Sequence, residues 1–286
     1  MAAGPVQYRR ATLADAEAEH AVFCRAEGAV VRARNYPWTD PPVERFALGL
    51  QHLLAHDAER CWVAEVDGSV VGYTAALVRD DTWFFSMLFI DPNHQGRGIG
   101  RHLFELAVEG APARRLTITD SIQPISNALY GRHGLLPITP LLPLTGEGGR
   151  TAPADLSAGD PTPDELSIVD RAAYGFDRRV DHAYWATRWS RRGWYRGREL
   201  VAWAYRWADG TIGPLAGIDP TSAVSALRAE LANPGPVAIE IPGSARALLS
   251  AALDAGLRIK PPLGLLLGTD TAVVPVALAI STYGFF

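Results

Sequence analysis

Lysine is almost missing from this chain. Of its 27 lysines and arginines only Lys260 is a lysine, which leaves 26 arginines among 286 residues. A phosphate loop ending in Gly-Lys-Ser/Thr is therefore excluded. Either arginine is used for its planar, forked chemistry or the genome favours Arg, Ala and Gly codons; anion chemistry is expected to explain roughly two to four positions and codon bias the rest. Cysteine is scarce too, with Cys24 and Cys61 alone. That is too few for a disulfide framework, so both read as reduced, buried thiols of a cytoplasmic, bacterial protein. No apolar run reaches the ~18–20 residues of a membrane span. Met1–Arg10 carries two arginines and no long apolar stretch, so it does not read as a secretory signal. No CxxC, HExxH or EF-hand loop occurs, and His52 and His56 lack a third ligand, so no metal is expected. The net charge of −4 argues against a nucleic-acid partner.

What is present describes a globular chain. Hydrophobic residues make up 48% and charged residues 20%, unlike disordered or collagenous sequences. At ~100–200 residues per domain the length suggests two domains. Residues 6–10 alternate as a first strand, and 12–34 read as a helix opened by a Thr12/Asp15 capping pair. Prolines 37, 41 and 42 make a loop, and 43–56 read as an amphipathic helix. Strands follow at 61–66, 70–78 and 83–90, joined at Asp67-Gly68 and Asp80-Asp81. A glycine-rich loop at 95–100 opens a helix to about Glu109; Leu116–Thr119 is a strand, and Ser126–His133 a helix closed by Gly134. Residues 145–164 turn to Gly, Pro, Thr, Ser and Asp, as a domain linker does. Beyond it, helices are expected at 164–174, 184–192, 220–232 and 245–255, and strands at 199–207, 212–218 and 237–241. Two motifs recur. Ile90-Asp91-Pro92 and Ile218-Asp219-Pro220 each lead from strand to helix, and His133-Gly134-Leu135 and Ala255-Gly256-Leu257 each close the next helix. The shared order suggests a tandem duplication.

The chemistry is concentrated in Gln95-Gly96-Arg97-Gly98-Ile99-Gly100-Arg101, between a strand and a helix. Backbone N–H groups at a helix N-terminus favour an anion. Glycines let the backbone approach a pyrophosphate, and Gln95, Arg97 and Arg101 add donors. A dinucleotide loop needs GxGxxG after the first strand of a βαβ unit, whereas here GxGxG follows a meander. A glycine-rich turn without a ligand is the plain alternative. With Leu88-Phe89-Ile90-Asp91-Pro92 ahead of it, the loop resembles that of the GNAT superfamily of acyl-CoA-dependent N-acyltransferases, which reads (Gln/Arg)-x-x-Gly-x-(Gly/Ala). The resemblance runs over roughly 6–144 in element order.

The resemblance implies an α/β (α+β) protein of two GNAT-like domains, each a mixed, mostly antiparallel sheet flanked by helices. Residues 1–145 are then the acyl-CoA-binding catalytic domain, 146–160 a linker, and 161–286 a degenerate copy that completes the acceptor site or forms an interface. It implies acetyl-CoA, or another short acyl-CoA, as co-substrate. The backbone of Leu88, Phe89 and Ile90 would run along the pantetheine arm, and Gln95, Gly96, Arg97, Gly98, Ile99, Gly100 and Arg101 would take the pyrophosphate. A primary amine would attack the thioester directly, aided by proximity and oxyanion stabilisation. The family's Tyr-x-x-x-Gly-(Phe/Leu) falls on Tyr130 to Leu135, which makes Tyr130 the general acid toward the departing sulfur. The family often places Asn six residues earlier; Pro124 stands there, so Ser126 or Asn127 is expected to take over its contact to the cofactor arm. Residues 83–88 hold no carboxylate. Asp120 and Glu27 are candidates for the base, beside ordered water or an amine that arrives neutral.

In the family the acceptor pocket draws on the first two helices and the loop between them, which offer Arg32, Arg34, Tyr36, Trp38 and Asp40 here. Aromatic rings suit a flat acceptor and arginine an anionic one. A small-molecule amine is the expected acceptor; acetylation of a protein lysine or N-terminus, and non-catalytic acyl-CoA sensing, are the rivals. No membrane partner is expected, and the chain reads as a monomer or homodimer. Asp219–Ala226 has no glycine, so the second copy is expected to lack a phosphate cradle. Trp203, Tyr205 and Trp207 share a strand face, as core or as an acceptor wall. Arg188, Arg191, Arg192, Arg196 and Arg198 form a basic cluster, either solvated or facing an acidic group such as a 3′-phosphate.

Overall fold

The computed structural model describes residues 4–149 and 155–286. Residues 150–154, inside the expected linker, and residues 1–3 lie outside the described part. The chain divides into two compact units, 1–78 with 83–113 and 79–82 with 114–286.

The first unit runs β1 (Gln7–Arg10), α1 (Ala16–Arg32), α2 (Val43–Asp57), β2 (Trp62–Val66), β3 (Ser69–Arg79), β4 (Thr82–Ile90) and α3 (Ile99–Val108). The strands lie in the order β1-β2-β3-β4, with β2 antiparallel to both β1 and β3. Thr12 and Asp15 form the expected capping box at the turn that leads into α1. Arg9 on β1 grips Asp15 with two nitrogens at 2.7 and 2.8 Å, and Glu65 of β2 at 2.6 Å. Successive residues of β3 point to opposite faces. Tyr73 meets the Phe46 ring of α2, with centroids 5.8 Å apart. A Cβ on neighbouring Gly72 would come within 2.6 Å of Ile90 and 3.5 Å of Leu103 on α3. Helices α1 and α2 therefore cover one face and α3 the other.

The second unit contains β5 (Arg114–Asp120), α4 (Pro124–Arg132), β6 (Leu136–Gly148), β7 (Ser157–Gly159), α5 (Pro163–Ala173), α6 (Arg179–Ala186), β8 (Ser190–Arg196), β9 (Glu199–Arg206), β10 (Ile212–Gly217), α7 (Pro220–Leu231), β11 (Gly235–Pro242), α8 (Arg246–Asp254), β12 (Arg258–Ile259), β13 (Gly264–Gly268) and β14 (Leu278–Ala279). One sheet runs β5-β13-β6-β11, with β12 on β6, and every pair in it is antiparallel. A second sheet runs β14-β10-β9-β8-β7. The fold class is thus the expected mixture of helices and mostly antiparallel sheets.

Particular elements differ from the expectation. The helix placed at 184–192 ends at Ala186, and Ser190–Arg196 is strand β8. Residues 136–148 form one long strand with prolines at 137, 140 and 143. Proline lacks the N–H a central strand needs. It is tolerated because β13 covers only the first part of β6, to Leu141, and β11 only the rest, from Leu141 onward. The carbonyls of Pro140 and Pro143 still accept, from the Gly243 and Lys260 N–H groups at 2.8 Å each, so the ring forgoes only the N–H. The division between units falls at 113/114, whereas the sequence suggested 145/146. The reason is pairing: β5 and β6 are held by β13 and β11, strands that come from far later in the chain.

Candidate functional site

Asp91 closes β4 and organises the loop that follows. Its carboxylate accepts from the Asn93 N–H at 2.9 Å and from Arg25 at 2.6 Å. Burial pushes the Asp91 carboxyl up, but these donors outweigh it and hold it below the ordinary carboxylate range. Gly96 and Gly98 have φ of +77° and +81°, the left-handed region that side chains disfavour, and a Cβ on either would point into open space. Gly98 is the N-cap of α3, so the first N–H groups of that helix have no intrahelical acceptor. Gly100 serves packing instead, with Ile90 3.5 Å from where its Cβ would lie. Gln95 donates to the Ile90 carbonyl at 3.1 Å. Arg97 and Arg101 are exposed; Arg97 donates to the Gly4 carbonyl at 3.3 Å, and Arg101 lies 3.6 Å from Glu105. The result is an open cradle of backbone donors with two cationic side chains, suited to a phosphate-bearing ligand.

β4 breaks the two-residue alternation of a strand. Trp83 and Phe85 both touch Phe104 of α3. Farther along, Leu88 and Ile90 pack with Ile99 and Leu103 of the same helix, while Phe89 turns to Phe23 and Tyr73 on the other side. Odd residues face α3 at one end and even residues at the other, so the pleat slips by one residue at Ser86–Met87, as at a β-bulge. Thr74 Oγ1 donates to the Met87 carbonyl at 2.8 Å and braces the spot. On the α1–α2 face, the half-buried Phe46 and Phe89 pack on the fully buried Tyr73, and the half-buried Phe23 joins both to Trp38. Of the expected acceptor residues, Trp38 donates to Asp40 at 2.6 Å and Arg34 to the Val30 carbonyl at 3.2 Å.

Tyr130, Ser126, Asn127 and Asp120 lie in the second unit, and Glu27 in the first. Tyr130 sits in the last turn of α4, buried at 5% exposure, where burial pushes its phenol well up against an opposing hydrogen bond with Ser126. It stays protonated at neutral pH, as a donor must. Gly134, at φ +79°, closes α4: its N–H meets the Gly131 carbonyl at 3.1 Å and the Leu135 N–H the Tyr130 carbonyl at 3.0 Å, which is a Schellman motif. Asn127 donates to the Gln123 and Asp120 carbonyls at 2.7 and 3.3 Å. Asp120 and Glu27 are half-buried.

The repeated motifs share local geometry. Gly256, at φ +88°, and Leu257 close α8 with bonds to Leu253 and Ala252 at 2.9 and 3.1 Å, the same motif as at α4. Asp219, like Asp91, turns its carboxylate onto the next segment, accepting from the Ser222 N–H at 2.7 Å. There it caps α7 directly, with no glycine loop, so the anion position at that helix start is filled by the protein's own aspartate. Trp203 and Tyr205 are fully buried. Around them lies a polar network that motif reading missed: Trp203 and His182 both bond Asp170 (3.1 Å each), and His182 Nδ1 lies 3.0 Å from Tyr205. In the basic cluster, Arg191 pairs with Asp160 at 2.6 Å and Arg192 with Glu230 at 3.5 Å. Cys24 and Cys61 are free and buried, with thiols pushed by burial up to about 11 and about 12. Among the described residues no group of three ligands could hold a metal, and no helix is long and apolar enough to cross a membrane.

Comparison with known proteins agrees with this geometry. Residues 23–135 match the model of the acetyltransferase (GNAT) family. An uncharacterized N-acetyltransferase of Archaeoglobus fulgidus is 35% identical over 78 residues, 24% of this chain and 51% of that protein. The chain thus spans about half the length of that curated relative. Among solved structures, a Pyrococcus horikoshii protein provisionally classed as an acetyltransferase superposes with a TM-score of 0.77 at 18% identity, covering 98% of this chain and 96% of that one. A GCN5-related N-acetyltransferase from Sphaerobacter thermophilus gives 0.62 at 15% identity, covering 98% and 99%. A tandem GNAT protein from the clavulanic acid biosynthesis pathway gives 0.58 at 16% identity, covering 93% and 98%.

Proposed function

We propose, for a chain with the fold of the GNAT acyl-CoA N-acyltransferases and a GNAT-family domain over residues 23–135, that it transfers an acetyl group to the primary amine of a small molecule. The observation that carries this reading is the open backbone cradle at Gly96–Gly98 on the start of α3. Acetyl-CoA, when bound, supplies an activated thioester and the phosphates this cradle suits. Gln95, Gly96, Arg97, Gly98, Ile99, Gly100 and Arg101 hold the pyrophosphate, and the backbone of Leu88, Phe89 and Ile90 holds the pantetheine arm. Backbone N–H groups of β4 beside the slipped pleat would stabilise the acyl oxygen, where developing negative charge is greatest. Tyr130 gives its proton to the departing sulfur, and Ser126 positions that hydroxyl. The rings around Tyr73 form an acceptor wall suited to a flat or apolar amine.

Release of CoA from acetyl-CoA across a panel of small primary amines tests the reading. Turnover with one class of amine supports it. Turnover only on peptides, through a lysine or an N-terminus, replaces it with protein acetylation. Tight acetyl-CoA binding with no turnover on any acceptor replaces it with an acyl-CoA sensor.

A further inference from the structure

Helix α1 is fastened to the end of β4 at two places. Phe89 lies on β4 and Asp91 directly after it, two residues on, so both side chains leave the sheet on the side of α1. Phe23 of α1 meets the Phe89 ring edge to face at 4.9 Å. Arg25, two residues later on the helix, donates from Nε to Asp91 Oδ2 at 2.6 Å. The Asp91 side chain is 9% exposed and that of Arg25 49%, so the pair is buried at the acid and wet at the base. The other carboxylate oxygen accepts from the Asn93 N–H at 2.9 Å, while His94 Nδ1 stands 3.8 Å from it, beyond hydrogen-bond reach. Backbone bonds hold the same residue. The Asp91 N–H meets the Val71 carbonyl of β3, and the His94 N–H the Asp91 carbonyl, at 2.8 Å each. Asp91 is thus the fixed point from which residues 92–98 depart. Arg25 reaches it from the face of the sheet that α1 and α2 cover, whereas the helix those residues enter, α3, lies on the other face.

The repeated motif shows what the cation adds. In Ile218-Asp219-Pro220 the Asp219 carboxylate accepts from the Ser222 N–H at 2.7 Å, and α7 starts at Pro220. A cap suffices where the helix follows at once. After Asp91, residues 92–98 intervene before α3, with Gly96 and Gly98 at positive φ among them. Glycine gives a chain many other conformations to adopt, so this stretch needs a firmer hold at its start.

We propose that Arg25 is a positioning residue for acyl-CoA binding: through Asp91, α1 keeps residues 92–98 in the conformation that opens the backbone cradle. This rests on the acetyltransfer reading and places control of its cofactor loop on the helix whose Phe23 packs against Phe46 and Phe89. A loop that adopts its binding form only part of the time binds with an affinity lowered by that fraction. A hydrogen bond to a charged group can shift such a balance by about tenfold or more, and the solvent around Arg25 keeps the effect near the lower end. Arg25 takes no part in bond making, so the rate at saturating acetyl-CoA does not depend on it.

Calorimetry with acetyl-CoA, alongside steady-state CoA release, tests the role. Arg25→Met keeps the stem of the side chain and removes the donor. It is expected to weaken acetyl-CoA binding and raise its KM by about tenfold, with kcat and Tm retained. Asp91→Asn keeps an acceptor for the Asn93 N–H and loses the charge, and should show the same shift. The double variant should bind no more weakly than either single one, because both remove one link. Wild-type affinity in Arg25→Met overturns the proposal, and so do losses that add in the double variant. A lowered Tm with affinity intact overturns it too, since the pair is then merely structural. If the wild-type chain binds acetyl-CoA and acetylates no amine, the acetyltransfer reading fails while the calorimetric comparison still decides the role of Arg25. A wild-type chain that does not bind acetyl-CoA overturns both.

Discussion

At the scale of single residues, ionisation states carry most of the information. The two Arg9 hydrogen bonds, with Thr12, hold the buried Asp15 carboxyl down to about 2, from an ordinary 3.8. A folded-state value below the unfolded one stabilises the fold above about pH 4, and that stability is lost as pH falls toward 2. Asp15→Asn is expected to cost roughly 1–2 kcal/mol at neutral pH, after discounting for the solvent around Arg9. In thermal melts the gap to wild type should close between about pH 4 and pH 2; a gap independent of pH would contradict this. Tyr130→Phe should lower kcat by 10²-fold or more and barely change acetyl-CoA affinity, as measured by calorimetry. Tyr130 was legible in the sequence because it and Gly134 are four apart on one helix and its cap. The Arg79–Asp181 ion pair was not, because its partners stand 102 residues apart and meet only in the tertiary structure.

At the scale of elements, the start of α3 gathers two left-handed glycines and open backbone donors in one turn. Gly98→Val meets no neighbour, so its structural cost is the left-handed backbone, about 1–2 kcal/mol. The new side chain would stand in the open cradle. Acetyl-CoA affinity should fall more than tenfold with only a modest drop in Tm; unchanged affinity would remove the loop from the binding site. This loop, its helix and the two Schellman closures were readable because each depends on residues adjacent in sequence. β6 was not, because its three prolines argue against a strand until its pairing with β13, β11 and β12 is known. Nor was β8, where adjacent Arg191 and Arg192 and the following Gly193 break the two-residue alternation of a strand.

At the scale of the molecule, long-range pairing sets what can be removed. Arg79 and Arg178 are both nearly or fully buried and share Asp181, with Arg79 lying 102 residues away in sequence. Asp181→Ala removes the carboxylate that two buried cations share and should cost about 3–5 kcal/mol in denaturant unfolding; a loss below 1 kcal/mol would show that water or another group replaces it. Deleting 150–286 removes β13 and β11, the strands that cover β5 and β6. The truncated chain should aggregate or lose cooperative unfolding, seen by size-exclusion chromatography and circular dichroism, because it exposes unpaired strand edges; a stable, cooperative monomer would refute the dependence. By itself the sequence determined the open glycine loop at the start of α3, the helix caps and the absence of such a loop before α7, since each is written in contiguous residues that act through local backbone geometry. Only the tertiary structure decided where the units divide, that a strand from the far end of the chain lies between β5 and β6, and that Arg79 and Arg178 share Asp181. Sheet pairing is non-local, and no short stretch of sequence specifies its register.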